Sequence, residues 1–205
     1  MVHRKSTKLL HDTLVWRREI KIESMKAEDC MKYIDKGLFY IYGWDDSHKP
    51  IIVARKRQEP MNPDEVDPYF KFIMFSLEQV QKSMPEQAHQ WVQLLDLNGY
   101  SKKNAPPVKM GIAVINAFAN HFPERLAHCY VIDAPTIFWV LYTAVWPFVD
   151  PVTRAKVHFV YTKDYKETGE RKDGNEDSTR FSKYYKAWAT QFDKARYMKI
   201  LEELG

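Results

Sequence analysis

Cysteine is scarce in this chain: there are two, Cys30 and Cys129, far apart in 205 residues. That argues against a disulfide framework and for buried free thiols in a reducing compartment. Long hydrophobic runs are missing as well. The longest, Ile137–Val149, contains Pro147 and falls short of the roughly 20 residues that span a bilayer. Met1-Val2-His3-Arg4-Lys5 leads into polar residues and not into the apolar core of a secretory signal. There is no strong charge of either sign. A formal net charge of +4 is mild and does not call for nucleic acid. No G-x-S-x-G, P-loop, G-x-G-x-x-G or H-E-x-x-H motif is present, so the common signatures of hydrolases, nucleotide enzymes and zinc proteases are absent. No internal repeat is evident.

What is there is an ordinary globular composition rich in Trp and Tyr, with a length that fits one domain with appendages. The stretch Asn120–Val160 organises the rest. Cys129–Asp133 and Val157–Tyr161 read as short buried strands. Between them, Thr136–Trp146 is of helix length and apolar nearly all the way round, so it must be buried or face lipid. Strand, helix and strand in that order predict a crossover in a parallel sheet.

The remaining chain supports the same architecture. Ser6–Ile20 reads as a helix with Leu9, Thr13, Trp16 and Ile20 on one face. Glu28–Lys36 is a short helix ended by Gly37. Leu38–Tyr42 and Ile51–Arg55 form a hairpin around Gly43–Pro50. Asp67 caps a helix that Pro68 opens and Pro85 ends. Trp91–Leu97 is a strand, and a helix follows from Pro106 or Pro107 to Pro123. The alternation predicts an α/β fold, a mostly parallel sheet flanked by helices. From Lys163 to Arg180 both charges are dense and apolar residues few, which predicts a solvated, disordered connector. Phe181, Tyr184, Trp188 and Phe192 then recur at helical spacing and predict one final amphipathic helix.

Two clusters invite a chemical reading. His121, His128 and Cys129 resemble a metal set, but His128 and Cys129 are neighbours on a strand entry and point to opposite faces. Zinc needs a closed set of ligands, and the chain is read as binding no metal or other cofactor. Asp96 and Asp133 end two strands and could converge where open α/β sheets bind ligands. A strand-terminal Asp more often caps a turn, and no nucleophile accompanies the pair. The chain is therefore read as a non-enzyme.

Several phrases, in order, resemble the CRAL-TRIO lipid-binding family, and most closely its phosphatidylinositol-transfer branch. They are LLHDTLVWRREI, GLFYIYGWDDSHKPIIVARKR, LLDLNGYSKKN, FPERL with the strand ending in Ala134-Pro135, and WPFVDPVTRAKVHF, together covering roughly Leu9 to Tyr161. The resemblance implies an apolar lipid cavity under a movable gate helix, Thr136–Trp146, with Trp139, Val140, Tyr142 and Trp146 as its membrane contacts. It implies that Glu124, of Pro123-Glu124-Arg125, and Thr153 and Lys156, of the D-P-x-T-x-x-K phrase, bind an inositol phosphate head group. Those residue types suit such a head group, with an ammonium for phosphate, a hydroxyl donor, and a carboxylate for sugar hydroxyls.

The family's phosphatidylcholine pocket does not carry over. Its tyrosines fall at Ile41 and Ile52, its serine and threonine at Trp91 and Gln93. Its further basic pair would fall at or before Met1, leaving His3, Arg4 or Lys5 as substitutes. The expected organisation is a remnant of an N-terminal helical region over 1–28, the lipid domain over 29–162, and a charged connector with a C-terminal helix over 163–205. The implied partners are a phospholipid, phosphatidylinositol first, and transiently a membrane surface, in a cytoplasmic, peripherally membrane-associated protein. The alternatives are a scaffold or membrane-associated protein-interaction module that kept the fold, or a carrier of a retinoid-like or tocopherol-like ligand.

Overall fold

The computed structural model describes residues 2–55 and 60–205, with side chains described from Thr7 onward. His3, Arg4 and Lys5, and Lys56-Arg57 of the second resembling phrase, therefore fall outside the described side chains. One five-stranded sheet carries the fold, in the order β1 (Phe39–Trp44), β2 (Pro50–Arg55), β3 (Trp91–Asp96), β4 (Leu126–Ile132), β5 (Val157–Val160). The first pair is an antiparallel hairpin and the other three pairings are parallel. Strand order follows chain order, so each parallel connection is a crossover between neighbouring strands.

Those connections are α3 (Val66–Lys82), α4 (Val108–His121), and the pair α5 (Phe138–Val145) and α6 (Pro151–Arg154). Ahead of the sheet lie α1 (Val2–Ile20) and α2 (Ala27–Ile34), and behind it α7 (Ser182–Ala189) and α8 (Lys194–Leu204). Helix α3 opens one residue before the expected cap, because Asn62 and Glu65 cap a short 3-10 turn that runs straight into it. Helix α1 docks through the predicted face. Trp16 stacks on His121 at 3.8 Å, and the Arg17 guanidinium donates to both oxygens of the buried Glu78 on α3.

The register assigns each strand residue to a face, since partners across a ladder point the same way. Ile52, Gln93, Cys129 and Val157 form one row, and Ala54, Leu95, Val131 and Phe159 the next. This face meets α4 and α5: Trp91 packs on Phe118, and Phe159 stacks on Trp139. Val53, Leu94, Tyr130 and His158 point the other way.

That second face is where the expectation fails. The charged segment from Lys163 to Arg180 is not a solvated connector. It folds onto the sheet, because its charges are satisfied locally. The Asp177 carboxylate accepts from the backbone N–H and hydroxyl of both Thr179 and Ser182 and from the Tyr165 hydroxyl. Burial alone would push that carboxyl up, but these donors outweigh it and hold it down at about 2. Arg171 pairs with Asp173, and Tyr165 is buried. Gly169, at φ +88°, lets the turn come so close to Tyr185 that an added Cβ would lie 2.9 Å from that side chain. The final helix is also two helices. Thr190 is already extended, and Asp193 caps the new start by accepting from the Arg196 N–H. Phe181 and Tyr184 then cover Tyr130, while Phe192 and Tyr197 cover Tyr40.

Candidate functional site

The site is built at the amino-terminal edge of strands β4 and β5. The Lys156 backbone opens the β4–β5 ladder: its carbonyl accepts from Cys129 at 2.8 Å, and its N–H donates to the Thr153 carbonyl at 3.0 Å. Helix α6 is a single turn capped by Asp150, which accepts from the Thr153 N–H at 2.9 Å. The Thr153 hydroxyl lies against the same carboxylate, and these bonds hold Asp150 below the usual carboxylate range. Glu124 sits just before β4 with φ at +58°, a left-handed conformation that non-glycine residues seldom take. Its carbonyl accepts from the Gln90 side chain at 3.2 Å.

The three residues singled out by sequence thus share one edge, with Glu124 and Lys156 in contact. The Lys156 ammonium stands 3.6 Å from the Glu124 carboxylate, with side-chain exposures of 20% and 81%. With its carboxylate this open to water, the pair contributes about 0–1 kcal/mol. Thr153 lies within one turn of Lys156, with its hydroxyl on Asp150.

The imidazoles nearby do not make a metal centre. His128 lies on the Tyr130 face with its ring nitrogen 3.2 Å from His158, while Cys129 faces the α5 side and His121 is stacked on Trp16. Burial pushes His128 down, and His158, Arg180, Lys49 and Lys156 act in the same direction. Among the described residues no group of three His, Cys, Asp or Glu is placed to hold a metal. Asp96 and Asp133 sit at the opposite edge and are each occupied. Asp96 accepts from Arg55 at 2.9 Å, and Asp133 from the Thr162 hydroxyl at 2.6 Å.

Helix α5 rests on the sheet through Phe138, Leu141 and Tyr142, which meet Tyr100, Val131 and Phe159. Gly111 of α4 lets α5 pack close against that helix, since an added Cβ would stand 2.9 Å from Leu141. Under the helix, Leu95 and Cys129 of the central strands remain only half-buried. The four expected gate residues divide. Val140 faces outward at 64% exposure and Trp139 keeps 38% of its surface exposed while stacking on Phe159, whereas Tyr142 and Trp146 pack on each other, with Arg154 over the Trp146 ring. Phe148 and Val152, missed in the sequence, extend the outward apolar surface. A Phe beside Pro147 and a Val inside a capped turn carry no periodic signal that would mark them. Ile41, Ile52 and Gln93 occupy one ladder row, and Trp91 is fully buried on the same face. Trp91 Nε1 and Gln93 Oε1 are buried without hydrogen-bond partners. Among the described residues no helix is long and apolar enough to cross a membrane.

The CRAL/TRIO domain model matches residues 34–173, more than half of the chain. The chain belongs to the CRAL/TRIO family. It is 26% identical over 200 residues to a CRAL-TRIO domain-containing protein of Schizosaccharomyces pombe, covering 96% of this chain and 20% of that protein. It is 28% identical over 162 residues to the phosphatidylinositol transfer protein PDR17 of Saccharomyces cerevisiae, covering 73% and 46%. The crystal structure of Sfh5 superposes with a TM-score of 0.62 at 20% identity, over 98% of this chain and 77% of that one, and shows the shared fold. The chain spans less than half the length of these two curated relatives. The CRAL/TRIO match runs past Tyr161 into the charged segment, in keeping with that segment's packing on the sheet.

Proposed function

We propose that this chain binds a phospholipid, phosphatidylinositol first, and carries or presents it between membranes without altering it chemically. The observation that carries this reading is the Glu124–Lys156 contact beside Thr153, three residues from two distant stretches gathered at one sheet edge. Lys156 would hold the phosphodiester, Thr153 would donate to it, and Glu124 would accept from inositol hydroxyls. The acyl chains would lie between α5 and the sheet, with α5 lifted, leaving water at about 0.8 kcal/mol per methylene. The outward row of Trp139, Val140, Phe148 and Val152 would meet the membrane surface, Trp at the interface and the aliphatic groups deeper.

Transfer of labelled phosphatidylinositol between vesicles tests this. The parent chain is expected to transfer it. The Val140→Asp variant is expected to transfer it about tenfold more slowly while folding normally, because that side chain is 64% exposed and a charge there opposes insertion. Unchanged transfer by that variant would make α5 an ordinary surface helix. Phosphatidylcholine is expected to transfer poorly in the same assay. Ile41 and Ile52 offer a choline phosphate no hydrogen bond, at about 1–3 kcal/mol per unsatisfied group, and Trp91 fills the space a small hydroxyl residue would leave. Efficient phosphatidylcholine transfer would contradict that assignment.

A further inference from the structure

Glu124 also forms one wall of a second feature. On its other side lies an open recess of about 380 Å³, lined by Ser47 and Lys49 of the β1–β2 turn, Gln87, Ala88, His89 and Gln90 of the α3–β3 loop, and Glu124 itself. All three segments meet at the amino-terminal edge of the sheet, so the recess continues the Lys156 site along that edge. Most of its lining residues carry polar side chains, set on largely apolar surface, and they form neither an acidic nor a basic cluster. It offers a carboxylate, two amides, a hydroxyl, an imidazole and one ammonium. That mixture matches a polyol carrying an anionic substituent better than a plain anion or a plain sugar.

The ammonium is the informative group. Lys49 makes no ion pair among the described residues, although its backbone is fixed by donation to the Asp45 side chain at 2.9 Å. Lys156, by contrast, is paired with Glu124. Glu124 links the two lysines, in contact with Lys156 and in the wall of the recess that Lys49 lines. A head group whose phosphodiester sits on Lys156, and whose ring meets Glu124, would direct its far side toward Lys49.

We infer that this recess binds a second phosphate, carried on the polyol ring, and that Lys49 selects a phosphorylated inositol head over an unphosphorylated one. The inference rests on the proposed lipid reading but is separable from it. A phosphate there would pair an ammonium that has no ion pair among the described residues, and Ser47 and the Gln87 amide would donate to its remaining oxygens. The same chemistry is met by a phosphoinositide in a bilayer and by a free inositol bisphosphate.

The test compares vesicles containing phosphatidylinositol with vesicles containing a monophosphorylated phosphatidylinositol at equal mole fraction, and adds soluble inositol 1,4-bisphosphate as competitor. The parent chain is expected to bind the phosphorylated lipid about tenfold more tightly, equivalent to about 1.4 kcal/mol. Lys49→Ala is expected to remove most of that preference while leaving phosphatidylinositol binding unchanged, and Lys156→Glu to weaken both. Competition by the soluble bisphosphate, lost in Lys49→Ala, would assign recognition to the head itself. A parent that binds both lipids equally, or a folded Lys49→Ala that keeps the preference, overturns the inference and leaves the carrier reading standing. A parent that binds neither lipid but binds the soluble bisphosphate through Lys49 keeps the recess and removes the carrier. Binding of none of the three overturns both.

Discussion

Lys156→Glu is expected to weaken phosphatidylinositol binding at least tenfold without unfolding the protein. Lys156 is the one cation among the three gathered residues, and among the described residues its ammonium pairs with an exposed carboxylate 3.6 Å away. Its backbone role in the β4–β5 ladder is independent of the side chain, so the substitution leaves that ladder intact. Losing a charge-assisted hydrogen bond to phosphate costs about 1.5–3 kcal/mol, and the new carboxylate adds repulsion from both the phosphate and Glu124. One decade of affinity is about 1.4 kcal/mol, which sets the lower bound. Thr153→Val should cost less, because it removes a neutral donor, and the backbone N–H still caps onto Asp150 although the hydroxyl's own bond to that carboxylate is lost. Glu124→Gln should weaken binding of inositol lipids more than of phosphatidic acid, since the carboxylate would face the ring hydroxyls. Fluorescent-lipid titrations of the three variants, with circular dichroism to confirm folding, read this ordering. A folded Lys156→Glu variant that binds as the parent does would mean that the head group sits elsewhere.

A chain ended at Thr162 is expected not to fold. We regard α7 and α8 as part of the same domain, because they supply one whole side of its core. Phe181, Tyr184, Ala187, Tyr197, Ile200 and Leu201 are buried against Tyr40, Tyr130 and their neighbours. Removing them returns Tyr40, Tyr130 and their neighbours to water at about 1.5–3 kcal/mol for each large apolar side chain, a loss comparable to the roughly 5–15 kcal/mol by which whole domains are stable. Tyr130→Phe is the mild counterpart. It removes only the bond from the Tyr130 hydroxyl to the Thr179 carbonyl, at 2.8 Å, and should lower stability by about 0.5–1.5 kcal/mol. Thermal and urea melts measure both. A truncated chain that melted cooperatively at the parent's temperature would show that the C-terminal helices are an appendage.

The same region shows why part of the fold was not legible. Strands such as Val157–Val160 and helices such as α3 announce themselves by length and apolar spacing. The segment from Lys163 to Arg180 shows only its composition, which is that of a solvated tail. Its order comes from pairings no composition reveals, chiefly five donors converging on Asp177. The break between α7 and α8 was hidden for a related reason. Trp188 and Phe192 keep helical spacing across it, while the capping role of Asp193 depends on local backbone geometry. Glu124, Thr153 and Lys156 were marked by resemblance, and the sheet register explains how residues so far apart in sequence come together. The recess beside them was invisible, because Lys49, Gln90 and Glu124 belong to three loops that only the strand order makes neighbours.

The central claim is that this chain holds a phosphatidylinositol-type lipid by its head at the amino-terminal edge of β4 and β5. Mass spectrometry of the lipid that co-purifies with the native protein tests it most directly, with Lys156→Glu purified in parallel. The expected result is one inositol phospholipid per chain in the parent and its loss in the variant. A parent that carries no lipid, or carries only a cargo without phosphate and carries it equally in Lys156→Glu, would contradict the claim.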